Sequence, residues 1–324
     1  MTKQIICLIV SFILTAILGK IIIPILKKLK VGQSERLDGP RAHLKKQGTP
    51  TMGGIMMIIS ITIITLIYCL VAKDNVTNIL AILLASIGFG IVGFIDDFKK
   101  VVLKNTEGLN PKLKMLGLLI ISAGYTMFLV NYSNIGTDII IPILNYNLVL
   151  PLWIYIPFTI LVMLSATNAV NLTDGLDGLA GGLSAIAFIA FSLISLMVGF
   201  EDIGIFSLIL VGSLMGYLIY NTHPAKVIMG DTGSLALGAT MGAIAILTHR
   251  ELTLLVVAGI FVIETLSVIL QTFWVQVFHK KLFLMTPIHH HFEKLGWEEN
   301  DIVKLFWVGG LLLAMAGIIF GVWL

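Results

Sequence analysis

Five aspartates lie at the ends of long apolar segments of the sequence, where a carboxylate without a partner is costly. They are Asp96, Asp97, Asp174, Asp177 and Asp231. An ionisable residue at membrane depth is a candidate for function, since a charge at the bilayer centre costs at least about 2.5 kcal/mol. Carboxylate oxygens are also the ligands that Mg²⁺ takes in proteins. The set therefore predicts a metal-dependent site.

The Asp96–Asp97 pair ends the third apolar segment and is followed by Lys99 and Lys100. A carboxylate at a helix C-terminus opposes the helix dipole, so the pair favours function. The alternative is a solvated helix end whose cost the two lysines offset. Adjacent helical residues point about 100° apart, so we expect only one of the two to face a given site.

A polar loop follows the fifth apolar segment. Asn168, Asn171, Asp174 and Asp177 recur in it every three residues, with two glycines between and after them. Polar residues at this spacing share one face of a helix, and glycine lets a ligand approach the backbone. The pattern favours a binding loop, and the alternative is a glycine-rich turn between two spans.

The segment from Asn221 to Ser234 is the densest polar stretch beside an apolar segment, and it contains Asp231. Its residue types are equally consistent with two roles for Asp231. The aspartate could cap the following helix, or it could hold a Mg²⁺ that bridges phosphate oxygens at that helix N-terminus. The stretch is not a P-loop, because the Gly-Lys-Ser/Thr ending is missing.

Three consecutive histidines, His289 to His291, lie in a loop near the C-terminus. They do not have the i, i+4 spacing of a helical zinc site, so contact with phosphate or sugar hydroxyls is favoured over zinc binding. Glu264 lies near the middle of the ninth apolar segment and must face the inside of the protein or a groove. The sequence assigns it no role.

The composition identifies the elements that position these residues. The chain has 324 residues, of which 57% are hydrophobic and only 12% are charged. A soluble domain has about 25% charged residues, so we expect an all-α polytopic membrane protein, a single domain over 1–324. Ten spans are predicted, at about 4–26, 51–72, 78–95, 113–131, 151–170, 178–199, 203–222, 231–248, 252–277 and 302–323.

Charge sets the expected orientation. Most of the 21 lysine and arginine residues lie in loops on one face, which is therefore cytoplasmic, and both termini are extracytoplasmic. A small β-hairpin is predicted in the outer loop, near 137–150. All five aspartates fall at the cytoplasmic edge.

Carboxylates, asparagines, lysines and histidines on one face of an apolar bundle suit Mg²⁺-assisted phosphoryl transfer from a water-soluble donor to a lipid. A membrane carrier is the rival hypothesis, but carriers place their sites near the midplane. An intramembrane metallopeptidase is disfavoured, because the sequence has no His-Glu-x-x-His motif. Nothing in the pattern indicates a nucleic-acid partner.

Five stretches resemble the phospho-N-acetylmuramoyl-pentapeptide transferases, the MraY family, within the polyprenyl-phosphate N-acetylhexosamine-1-phosphate transferases. They are Lys46-Gln-Gly-Thr-Pro-Thr51-Met-Gly-Gly54, Gly93-Phe-Ile-Asp96-Asp97-Phe-Lys-Lys100, Asn171-Leu-Thr-Asp174-Gly-Leu-Asp177-Gly-Leu, Pro224-Ala-Lys-Val-Ile-Met-Gly-Asp231-Thr-Gly-Ser and Met285-Thr-Pro-Ile-His289-His-His291-Phe-Glu-Lys. The resemblance covers nearly the whole chain. The first and last stretches are specific to this family within the superfamily.

The resemblance implies transfer of phospho-MurNAc-pentapeptide from UDP-MurNAc-pentapeptide to undecaprenyl phosphate in the bacterial cytoplasmic membrane, giving lipid I and UMP. Another UDP-sugar is the alternative donor. The family is often dimeric, which implies a homodimer.

The same resemblance implies roles for individual residues. Asp231 would be a Mg²⁺ ligand, with Asp96 and Asp97 near the metal and the lipid phosphate, one of them as a base. Lys100 and Lys112 would meet phosphates. The uridine pocket would contain Lys46, Gly175, Leu176, Asp177 and Asn221. The diphosphate or sugar would contact Asp174, His289, His290 and His291, with His290 also catalytic. Thr51 and Asn171 complete the substrate-binding set.

Overall fold

A computed structural model describes residues 2–29, 48–72, 76–103, 108–133, 135–144 and 146–323. Ten helices in this part of the chain are long and apolar enough to cross a membrane, which confirms the predicted all-α, ten-span architecture. The helices are α1 (Thr2–Lys28), α2 (Gly54–Val71), α3 (Thr77–Val101), α4 (Pro111–Phe128), α5 (Leu152–Thr173), α6 (Leu179–Met197), α7 (Glu201–Asn221), α8 (Gly230–Leu247), α9 (Glu251–Val257), α10 (Gly259–Phe278), α11 (Ile288–Lys294) and α12 (Glu299–Val322).

The structure confirms the predicted hairpin. It follows a π-helical turn, Leu129–Ser133, that extends α4. Strand β1 (Asp138–Ile141) pairs antiparallel with β2 (Tyr146–Val149). Thr137 closes the open end of this ladder, because its carbonyl accepts from the backbone N–H of Leu150 and its hydroxyl donates to the Leu150 carbonyl.

Helix α8 lies at the centre of the bundle and is almost wholly buried. Small residues make this possible, since they let helix backbones approach closely where hydrophobic burial does not drive association. A Cβ placed on Gly54 of α2 would lie 2.3 Å from the backbone N of Gly233 in α8. Helices α1 and α10 instead leave an apolar face exposed, as lipid-facing helices do.

The helix ends that hold the predicted site meet at one end of the bundle, which we call the site end. Helix α1 runs parallel to α7, with Ser11 donating to the Ile209 carbonyl and Tyr220 donating to the Ala16 carbonyl. Both helices therefore end at the site end. Thr2 and Val322 lie at the opposite end, with the hairpin.

The ninth predicted span differs from the structure. The sequence predicts one helix over 252–277, but two helices occupy this stretch, α9 and α10, which meet at Ala258 and Gly259. Gly259 begins α10 close to α12, where a Cβ would lie 2.8 Å from a methyl of Leu313. Glu264 consequently lies in the second turn of a membrane-spanning helix.

Candidate active site

The centre of the site end is a cluster of three carboxylates. Asp96 and Asp97 come from the last turns of α3 and Asp231 from the first turn of α8, and one oxygen of each lies within 4.8 Å of the others. The expectation that only one of the adjacent aspartates faces the site is wrong. At Gly93, α3 touches the backbone of Asp231, where a Cβ would lie 2.2 Å from its carbonyl oxygen. This close approach brings the first turn of α8 within reach of both side chains.

Asp97 holds the N-terminus of α8. Its Oδ1 accepts from the backbone N–H of Asp231 at 3.1 Å, and its Oδ2 accepts from the backbone N–H and the hydroxyl of Thr232 at 2.9 and 2.6 Å. The helix is thus capped from outside by a neighbouring helix. The alternative in which Asp231 caps α8 is therefore wrong, because Met229 occupies the N-cap position and Asp231 is the second residue of the helix.

The Asp231 carboxylate instead faces two lysines and an asparagine. Its Oδ2 lies 2.7 Å from Nζ of Lys114 and 3.2 Å from Nζ of Lys100, and its Oδ1 accepts from Nδ2 of Asn171 at 2.8 Å. Asn171 also donates to the hydroxyl of Ser234. The last turn of α5, directly before the polar loop, is therefore bound to the carboxylate cluster.

Lys114 is a site residue that the sequence reasoning missed. The resemblance indicated Lys112, but that side chain is exposed, and its backbone N–H donates to the N-cap Asn110. Side chains two residues apart on a helix are rotated by about 200° around its axis, so Lys112 and Lys114 point in nearly opposite directions. Helical phase, counted from Asn110 and Pro111, was the signal that could have separated them. The phosphate contact of Lys112 stays a prediction.

The charges and donor atoms of the cluster fit a divalent metal. Asp96 lies 2.5 Å from Nζ of Lys100, and its Oδ1 accepts from the backbone N–H of Leu109 at 2.7 Å. Three carboxylates and the two lysines of this cluster leave one net negative charge. Carboxylate oxygens are hard donors of the kind that divalent cations such as Mg²⁺ take.

A second cluster connects the polar loop to the segment that follows α7 and to α12. The Asp177 carboxylate lies 3.1 Å from Nδ1 of His223 and accepts from the backbone N–H of Ala225. Glu299 accepts from the backbone N–H of Asp177 at 2.6 Å and lies 3.4 Å from the same histidine nitrogen. His223 and Glu299 were not predicted, because only the fold brings these distant residues together.

Asn221 and the residues beside it complete this side of the loop. Its Oδ1 accepts from the backbone N–H of Gly178, which has a positive φ of 81°, and its Nδ2 donates to the Val227 carbonyl. Leu176, within the loop, is buried, and Asp174 is the C-cap residue of α5. The loop is therefore held by side chains at both ends, as a preorganised binding loop would be.

The three histidines lie in the short helix α11. His289 is buried, with Nδ1 at 3.0 Å from the Glu264 carboxylate. His290 Nδ1 lies 2.6 Å from Glu293, and His291 Nδ1 accepts from the backbone N–H of Leu284. His289 also faces Gly175, so α11 contacts the polar loop.

Of the two remaining predicted residues, the structure describes Thr51 but not Lys46. Thr51 is buried against Gly230, where a Cβ would lie 2.8 Å from its hydroxyl oxygen. Lys46 lies outside the described residues, so its place in the uridine pocket stays a prediction.

Comparison with known proteins identifies the class. A sequence model of glycosyl transferase family 4 matches residues 79–249, which contain all three carboxylates and most of the helices from α3 to α8. Fold and site thus define a multi-pass membrane transferase.

Proteins named phospho-N-acetylmuramoyl-pentapeptide-transferase are similar over nearly the whole chain. The one from Halalkalibacterium halodurans is 46% identical over 319 residues, that from Shouchella clausii 47% over 318, and that from Bacillus subtilis 45% over 318. Each alignment covers 98% of this chain and 97% of the relative. The chain belongs to the phospho-N-acetylmuramoyl-pentapeptide-transferase family, and it is an enzyme.

Proposed function

We propose that the chain is one membrane domain that transfers phospho-MurNAc-pentapeptide from UDP-MurNAc-pentapeptide to undecaprenyl phosphate with the aid of Mg²⁺, giving lipid I and UMP. The observation that carries this proposal is the cluster of Asp96, Asp97 and Asp231, flanked by two lysines at the site end. Family membership supports the choice of donor and acceptor. The homodimer implied by the resemblance stays a prediction.

The transfer exchanges one phosphorus–oxygen bond for another. A non-bridging oxygen of the lipid phosphate forms a bond to the phosphorus that carries the sugar. The bond from that phosphorus to the bridging oxygen breaks, and the bridging oxygen leaves with UMP. Such a reaction needs positioning and charge stabilisation more than covalent help from the protein.

The residues divide this work between them. Asp231 and Asp96 would hold Mg²⁺, which supplies neutralisation of the charge on the diphosphate when bound. Asp97 already accepts three hydrogen bonds from α8, so we assign it to holding the cluster together. Lys100 and Lys114, whose side chains are partly exposed, can turn from the carboxylates to phosphate oxygens.

The choice of donor is tested with purified protein in detergent, given Mg²⁺ and a polyprenyl phosphate. We expect UMP and a lipid-linked product in equal amounts with UDP-MurNAc-pentapeptide, and neither product with UDP-N-acetylglucosamine. Turnover with the second donor alone would favour a related transferase. Absence of both products, together with solute movement across liposomes, would favour a carrier.

We further propose that the site end faces the cytoplasm, because most basic residues lie in loops at that end. Leu295 at the site end and Val149 in β2 are both exposed, and each can be replaced by cysteine after Cys7 and Cys69 are changed to serine. In intact cells with a permeable outer layer, an impermeant thiol reagent should label Val149→Cys only. Labelling of Leu295→Cys before lysis would overturn the orientation.

A further inference from the structure

A buried glutamate in α10 contacts a buried histidine in α11. The side chains of Glu264 and His289 are both 0% exposed, and their Oε1 and Nδ1 atoms are 3.0 Å apart. The other carboxylate oxygen lies 3.5 Å from the backbone N of His289. A carboxylate inside a membrane bundle persists only with a partner, and His289 is the partner that this geometry provides.

This contact fixes which nitrogen of His289 carries the proton. A carboxylate has no proton to donate and can only accept a hydrogen bond. Nδ1 of His289 is therefore the donor to Glu264. In the neutral ring the other nitrogen, Nε2, is then an acceptor, since the hydrogen bond at one nitrogen sets the state of the other.

Nε2 of His289 faces the polar loop at Gly175. It is buried and has no hydrogen-bond partner among the residues that the structure describes. A Cβ on Gly175 would lie 2.3 Å from it, so the atom points at the loop where that residue has no side chain. Asn171, which donates to Asp231, lies in the last turn of α5, directly before this loop. Buried polar atoms are nearly always paired, so an unpaired one beside a binding loop indicates a bound group.

We propose that Glu264 is a positioning residue for the sugar nucleotide. It holds His289 so that Nε2 accepts a hydrogen bond from a hydroxyl or an amide N–H of the donor substrate. An acceptor nitrogen does not pair with a phosphate oxygen, so the contact is with the sugar, its acetamido group or the base, and not with the diphosphate. This inference rests on the proposed function for the nature of the donor.

A binding measurement tests the contact without turnover. The dissociation constant of UDP-MurNAc-pentapeptide is measured for the wild type, Glu264→Gln, His289→Ala and the double variant, without any lipid acceptor. The amide of glutamine can donate to Nδ1, so it no longer enforces the tautomer. We expect each single variant to bind about tenfold more weakly, which is the loss of one hydrogen bond.

The double variant separates positioning from general structural damage. If Glu264 acts through His289, the double variant binds no more weakly than His289→Ala, because coupled residues are not additive. Two independent losses that multiply would overturn the proposal, as would wild-type affinity in Glu264→Gln. Glu251→Gln is the matched control. Glu251, the first residue of α9, is also a buried glutamate but faces no histidine of α11, so this variant should bind UDP-MurNAc-pentapeptide with wild-type affinity.

NMR of isotopically labelled histidine nitrogens tests the tautomer itself and does not depend on activity. The signal assigned by its loss in His289→Ala should show a proton on Nδ1 in the wild type and should lose that signature in Glu264→Gln. A proton on Nε2 in the wild type would overturn the proposal. If the wild type binds and converts no UDP-MurNAc-pentapeptide, the proposed function fails, and the NMR result still decides the role of Glu264.

Discussion

Replacing Asp231 with asparagine is expected to leave the fold intact and to abolish most of the turnover. The capping of α8 is done by Asp97, so the change removes no helix cap. The asparagine keeps an oxygen for Asn171 to donate to. Lys100 and Lys114 are 40% and 22% exposed and can turn to solvent. The unfolding temperature in detergent should therefore change little.

The effect on activity follows from the charge of the cluster. Three carboxylates and two lysines carry one net negative charge, and Asp231→Asn brings that to zero while removing a hard oxygen ligand. We expect kcat/KM to fall by about 10³, which is about 4 kcal/mol of transition-state stabilisation. The assay is UMP release from UDP-MurNAc-pentapeptide over a Mg²⁺ titration. Near-normal turnover with an unchanged Mg²⁺ requirement would refute the assignment of Asp231 as a metal ligand.

Three other changes test separate parts of the account. Lys114→Ala removes the ammonium group 2.7 Å from Asp231 and should lower kcat/KM by about tenfold or more, the value of a charge-assisted hydrogen bond, whereas the exposed Lys304→Ala should be neutral in the same assay. Gly175→Ala forces His289 to move and should weaken binding of the donor substrate by about tenfold. Gly124→Ala is the control and should leave that binding unchanged, because Gly124 has open space around it. Equal affinities of the two variants for the donor would contradict the contact between His289 and Gly175. Burial raises the pKa of Glu251 to about 8, from 4.5, and a raised carboxyl pKa contributes stability at low pH that is lost as the pH rises through the folded-state value. Relative to Glu251→Gln, the wild type should therefore lose up to about 1.4 kcal/mol of unfolding free energy per pH unit between those two values, and parallel stability curves would show that the group is not buried as described.

Long apolar segments and the hairpin were predictable because each is a local pattern. A run of about 20 apolar residues crosses the bilayer whatever it packs against. The division at Ala258 was not predictable, because it depends on how Gly259 meets α12. No periodicity along α9 or α10 records that contact.

The chemistry was predictable at the level of residue type, and less so at the level of role. Asp96, Asp97 and Asp231 were identified from their position beside apolar segments. Their division of labour depends on the approach of α8 to α3 at Gly93, which brings both aspartates to one site. The role of Glu264 was likewise not predictable from the sequence, because its partner His289 lies 25 residues away in another helix.

The most direct test of phosphosugar transfer follows the phosphate next to the sugar. Purified protein in detergent is given UDP-MurNAc-pentapeptide radiolabelled at that phosphate, together with Mg²⁺ and a polyprenyl phosphate. We predict that all converted label enters the lipid fraction and that the released nucleotide is unlabelled UMP. Release of labelled UDP would show transfer of the sugar without its phosphate and would contradict the account.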